Sequence, residues 1–215
     1  MKRGAGKWAV KLVRCALALS LGVGSAFAGA VSGKAAAVSS AGQGLAELVF
    51  QYCGAGERVA GVTAEWCSME QREIRLRPRE DGAGDGAVAL EVLVAADDRT
   101  RQAGYQWIDP GLAQTTATLF LFPRPIYGAF HMCNVDAPLW IAWYDEDGSP
   151  LDVTLMLPGA DVPAAFCRDL YAPRTSGTYR YALEIGVGLA RELELDRQRL
   201  MELSLVVEPW MAQGR

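Results

Sequence analysis

The chain has 215 residues, 51% of them hydrophobic, which is enough for one main core with a small appendage. Its totals are 21 basic and 25 acidic residues; the five basic residues before Gly29 leave 16 against 25 in the remainder, a net charge of −9. With no basic cluster in that remainder, nucleic acid and anionic lipid surfaces are excluded as expected partners, because both are held mainly by Lys and Arg.

Lys2, Arg3, Lys7, Lys11 and Arg14 precede an uncharged apolar run from Cys15 to Phe27 that closes on Ala26-Phe27-Ala28. That order predicts a secretory signal peptide over residues 1–28, cleaved after Ala28, and therefore a periplasmic or secreted protein. The run is shorter than the roughly 20 residues a spanning helix needs, so no stable membrane span is expected after cleavage. Residues 29–41, GAVSGKAAAVSSA, read as a flexible leader.

The remaining cysteines, Cys53, Cys67, Cys133 and Cys167, are even in number and suit an oxidising compartment. Three pairings are open, and the preferred one joins Cys53 to Cys67 and Cys133 to Cys167. No CxxC motif supports redox catalysis.

Residues 42–72 form a helical extension, with Leu45, Leu48, Val49 and Tyr52 on one helix face. From residue 73 strands predominate. REIRLRPRE alternates Ile74 and Leu76 with charges, AVALEVLVA and ATLFLF are buried strands, and DDRTRQAG is a short helix starting near Asp97. Two aromatic-rich strands flank a turn at Asp145-Glu146-Asp147-Gly148. A strand over Tyr181–Ile185, a helix over GVGLARELEL and a closing strand LSLVVE follow. The expected fold is mainly β over 73–208: a compact antiparallel sandwich or barrel-like domain with one or two short helices, and a tail at 209–215.

Several stretches then fall into a recognisable order. Arg101 and Gly104 come first, then Leu119 and Phe120, then Met132, Asn134, Pro138, Leu139 and Ile141. Asp145 and Gly148 follow, then Tyr171 and Pro173, and last Tyr181, Leu183, Glu184 and Gly188. From about Glu73 to Glu208 the chain resembles the domain-of-unknown-function family DUF192, often found behind signal peptides. Ile108, Val135 and Trp140 stand where that family has arginine, threonine and aspartate, and His131 stands at its tryptophan. The resemblance therefore transfers no catalytic role.

The candidate chemistries are limited. His131, Met132 and Cys133 are soft or borderline ligands, but alternation on a strand sends Met132 away from the other two, and this is the only histidine. No metal and no cofactor are expected. A Cys133–His131 nucleophile lacks a third group to orient it, and the chain has no G-x-S-x-G elbow. Glu184, an acid in an apolar strand, together with the aromatic residues gives the candidate ligand-binding set: Tyr105, Trp107, His131, Asn134, Trp140 and Glu184. The expected function is a non-catalytic ligand-binding or envelope accessory protein whose partner is a small molecule, a saccharide or an envelope protein. The alternatives are a hydrolase of envelope polysaccharide with Glu184 or Asp136 as the acid, and an interaction module of a secretion or envelope assembly.

Overall fold

A computed structural model describes residues 44–54, 60–79, 86–159, 161, 163, 167, 170–175 and 177–212. The signal segment 1–28, the leader 29–41 and the acidic turn over 80–85 lie outside the described residues.

Helix α1 (Leu45–Cys53) turns Leu45, Leu48, Val49 and Tyr52 onto the body of the protein, the face its spacing predicts. Its N-cap is Gly44, which has no side chain to cap with, and the Glu91 carboxylate instead accepts the Leu45 N–H at 3.0 Å. Helix α2 (Ala64–Cys67) is capped by Thr63 and buries Trp66 completely. A disulfide from Cys53 to Cys67, with Cα atoms 5.6 Å apart, staples the two helices.

The sheet follows. Strand β1 (Glu70–Pro78) buries Ile74 and Leu76 between exposed arginines. It pairs antiparallel with β2 (Val88–Ala95). The chain then crosses over through α3 (Asp98–Ala103) and α4 (Pro110–Gln114) to β3 (Ala117–Ile126), which pairs parallel with β2. Asp97 begins α3 with a capping box, accepting the Thr100 N–H at 2.9 Å while the Thr100 hydroxyl takes the Asp97 N–H. Asp109 caps α4, with Pro110 at its first turn.

A two-residue strand, β4 (Phe130–His131), leads into the hairpin of β5 (Leu139–Tyr144) and β6 (Pro150–Met156). Then come β7 (Leu170–Tyr171), paired with β4, and β8 (Tyr179–Gly186), inserted between β3 and β5. Helices α5 (Val187–Glu192) and α6 (Arg197–Glu202), strand β9 (Leu203–Leu205) and helix α7 (Pro209–Ala212) end the described chain.

The principal sheet has seven strands in the order β6-β5-β8-β3-β2-β1-β9. Its two edges approach each other and nearly close a barrel. The Leu205 N–H donates to the Gly148 carbonyl at 2.8 Å, and Arg197 on α6 reaches the Val153 carbonyl of β6 at 3.1 Å. Gly148 has φ +81°, and a Cβ there would stand 2.0 Å from the Leu205 carbonyl oxygen, so only glycine both turns the hairpin and admits β9.

The fold is mainly β, as expected, with two differences. The sheet is mixed rather than antiparallel, because β2 and β3 run parallel, and the helices among the described residues are several rather than one or two. Both differences stem from short or non-local features: five-residue α4 is too brief for periodicity to reveal, and strand direction depends on where the crossover lands.

Strand alternation creates two cores. Side chains from all seven strands, including Ile74, Val92, Leu119, Tyr144, Val153, Leu183 and Leu205, fill the barrel interior. On the outer face a second core lies under α1 to α4 and the β4 segment, built from Trp66, Leu93, Tyr105, Phe120, Met132, Ile141 and Trp143. Among the described residues no helix is long and apolar enough to cross a membrane.

Candidate functional site

The outer core is incompletely filled. Between α3, the turn after it, β3, β4 and β8 lies a cleft of ≈ 540 Å³. Phe120, Phe122, Phe130 and Tyr179 supply its aromatic wall. Phe120 and Phe130 meet edge to face with centroids 5.0 Å apart, as do Phe122 and Tyr179 at 5.5 Å. Those contacts fix the ring orientations and leave the wall rigid.

Glu184 opens into this cleft from β8. On that strand Tyr181, Leu183 and Ile185 face the barrel interior, so parity sends Glu184 to the outer face, opposite Thr118 on β3 and Ile141 on β5. It is 4% exposed, and among the described residues its carboxyl has no ion pair or hydrogen bond. Burial alone pushes its pKa up to about 8, so the group is largely a neutral acid at neutral pH.

Tyr105 lines the same cleft. The Thr116 hydroxyl donates to the Leu112 carbonyl at 2.9 Å, so the Tyr105 hydroxyl, 3.2 Å from Thr116 Oγ1, is the donor of that pair. Burial raises the Tyr105 pKa far above its ordinary value, and the nearby Glu184 charge adds to the effect. Tyr105 stays neutral.

Arg101 borders the cleft from α3. Its guanidinium donates to the Ala96 and Leu121 carbonyls, the latter at 2.8 Å, and to Asp98 at 2.6 Å. It ties the helix to the end of β2 and to the middle of β3. Asp98 is the other acid lining the cleft, and its carboxylate is held by Arg101 in solvent. Paired-carboxylate hydrolysis needs two acids flanking one bond, and Glu184 has no such facing partner. Asp136, the other acid considered for that chemistry, is exposed and does not line the cleft.

Three of the six candidate binding residues, Tyr105, His131 and Glu184, line this cleft. Asn134 lies just behind it: its Nδ2 donates to Gln106 Oε1 at 3.1 Å, and Gln106 is a lining residue. Trp107 is 57% exposed and does not line the cleft, although its N–H donates to the Asn134 carbonyl at 2.8 Å. Trp140 is apart from the site. On β5 it pairs with Ile185 of β8 and packs with the interior core, one residue out of phase with Ile141, which pairs with Glu184. The structure adds Arg101, Phe120 and Tyr179, which sequence reasoning did not select as site residues.

After β4 the chain turns at Met132 to Val135, with Asn134 at φ +60°. Met132 is directed into the outer core, while His131 and Cys133 come together. Cys133 is joined to Cys167, with Cα atoms 5.8 Å apart. The ligand atoms of His131, Cys133 and Cys167 all lie within 4.8 Å of one another, and His131 Nδ1 is buried with no hydrogen-bond partner.

Fold and site together define a small, nearly closed β-barrel that carries an aromatic-walled cleft, with one uncompensated acid, on its outer face. Residues 80–203, more than half of the chain, match the DUF192 family, described as Uncharacterized ACR, and the chain belongs to that family. Arg101, Gly104, Phe120 and Glu184, which lie in three separate stretches of the family pattern, meet at this one cleft.

No curated protein matches the chain. A crystal structure from Sinorhizobium meliloti, assigned provisionally as a transcription regulator, is 21% identical, with a TM-score of 0.48 over 64% of this chain and 94% of its own. A protein of unknown function from Novosphingobium aromaticivorans is 17% identical, with a TM-score of 0.48 over 69% of this chain and 94% of its own.

Proposed function

We propose that this DUF192 member is an exported binding protein for a small, largely apolar ring compound that presents one hydrogen-bond acceptor to Glu184. One observation carries the reading: a carboxyl only 4% exposed, without a partner among the described residues, opens onto a cleft of ≈ 540 Å³ walled by aromatic rings. Leaving a buried polar group unpaired costs about 1–3 kcal/mol, and a ligand that supplies the partner recovers that cost on binding. The cleft volume falls within the ordinary range for small-molecule sites, which combine apolar walls with a few placed polar groups. Export is supported by the charged, apolar, small-residue order of residues 1–28 and by the two disulfides.

The test is a titration of the mature chain with aromatic alcohols, amides, amines, carboxylates and simple saccharides, followed by calorimetry and melting temperature. Neutral ring compounds bearing an acceptor should bind and raise Tm, and Glu184→Leu should abolish the effect. A flat response across all classes overturns the reading. Export is checked separately by the mass of the periplasmic protein, which should begin at Gly29.

A further inference from the structure

We propose that His131, Cys133 and Cys167 form a redox-gated zinc site: as a disulfide it binds no metal, and after reduction it holds one zinc ion with the fourth coordination position facing the cleft. This inference is independent of the identity of the cleft's ligand.

The geometry supplies the ligand set. The imidazole and both sulfurs already lie within 4.8 Å of one another. Zinc bonds thiolate sulfur at about 2.3 Å and imidazole nitrogen at about 2.0–2.1 Å, so tetrahedral ligand atoms stand about 3.8 Å apart or less. Opening the disulfide moves each sulfur by about 1 Å, starting from a bond near 2.05 Å. Local side-chain rotation supplies that movement without rebuilding the backbone.

The environment supplies the reason for a metal. His131 Nδ1 is buried, and no hydrogen-bond partner reaches it among the described residues. A cation between the imidazole and the two sulfurs gives all three a partner. Two thiolates balance the charge of one zinc ion, so the occupied site is neutral, which suits Cys133 at 0% exposure. One histidine and two cysteines with an open position is a ligand set zinc adopts where it binds an exogenous molecule. His131 itself lines the cleft, which gives that open position an entry path.

The redox balance is simple. A dithiol donor gives two electrons and two protons to the Cys133–Cys167 bond and becomes a disulfide itself. The two cysteines become thiols, and zinc displaces both thiol protons into solvent. A disulfide oxidant reverses the step: it takes two electrons from the two thiolates and two protons from solvent to become a dithiol, the Cys133–Cys167 bond re-forms, and the ion is released.

Cobalt(II) is the probe, because its thiolate charge-transfer and d–d bands report sulfur ligation and tetrahedral geometry. The full mature chain is titrated in the oxidised state and after phosphine reduction, with near-ultraviolet circular dichroism recorded in parallel. The expected result is one cobalt per reduced chain with both sets of bands, none per oxidised chain, displacement by zinc, and at least tenfold weaker binding in His131→Gln. Any of four results overturns the proposal: no charge-transfer band in the reduced chain, equal binding by the oxidised chain, an unchanged band in Cys133→Ser, or unchanged affinity in His131→Gln. Loss of the near-ultraviolet signal on reduction also overturns it, since the site requires the folded barrel.

Discussion

Glu184 and Thr118 face each other across the β3–β8 ladder, and among the described residues the Glu184 carboxyl has no hydrogen-bond partner. The carboxyl lines the cleft yet is only 4% exposed, so water compensates it poorly, and protonation is how it lowers its cost. Burial raises the folded pKa from 4.5 to about 8. The folded state therefore holds this proton more tightly than the unfolded state. Its contribution to stability is fully present below about 4.5 and is lost as pH rises through about 8. Glu184→Gln, which removes the titration, should be increasingly more stable than the parent between those limits. The difference should grow by up to about 1.4 kcal/mol per pH unit, to a few kcal/mol in all. Urea melts of both proteins at pH 5, 7 and 9 check it, and parallel curves would contradict the assignment.

Gly148 is where the barrel closes. Alanine there must place a methyl group 2.0 Å from the Leu205 carbonyl in a left-handed backbone. Gly148→Ala should cost about 3 kcal/mol or more, since strain at positive φ adds to a backbone clash. Thermal denaturation reads the loss. Hydrogen exchange should show it concentrated at the Leu205 amide, whose donor bond to Gly148 is broken.

Arg101 holds the Ala96 and Leu121 carbonyls and Asp98 at once. Its side chain is 14% exposed, so truncation strands buried acceptors. Arg101→Ala should destabilise by about 2–3 kcal/mol and loosen the cleft wall. Lysine, a point charge without the fork, should recover less than half of that. Melting temperature and ligand titration on both variants distinguish packing from binding.

Trp107 sits at φ +63° with 57% of its surface exposed. A bulky residue in that region costs about 1–2 kcal/mol, and asparagine tolerates it better. Trp107→Asn should raise stability by about 1 kcal/mol in equilibrium unfolding, because the backbone bond to Asn134 uses only its N–H.

The local rules located most strands. Alternation found Ile74 and Leu76, the apolar runs found β2 and β3, and the aspartate-rich turn ending in Gly148 located the β5–β6 hairpin. Asp97 marked a helix start because its carboxylate satisfies a free N–H, which is a local property. Asp109-Pro110 and Asp196 carried the same kind of signal for α4 and α6, but those helices are too short for periodicity to second it.

The site was less legible. Trp140 drew attention because it replaces an acid of the family pattern. Yet if Ile141 is opposite Glu184, the period of two already puts Trp140 on the other face. Phe120, Phe130 and Tyr179 look like ordinary core residues in one dimension. What makes them a wall is the crossover through α3, which leaves a gap above β3 and β8 that no sequence window spans. The Cys133–Cys167 pairing, by contrast, was anticipated from the even count of cysteines, although the two stand 34 residues apart.

Strand β9 is the last of the seven in the chain and the one whose backbone meets the Gly148 turn. A polypeptide delivered from its N-terminus can assemble β1 to β8 early, but the seam stays open until residues 203–205 arrive. The order of strands thus makes closure the last pairing event: until β9 docks, the seam beside β6 stays open, and any factor that holds the unfinished barrel has a definite edge to protect.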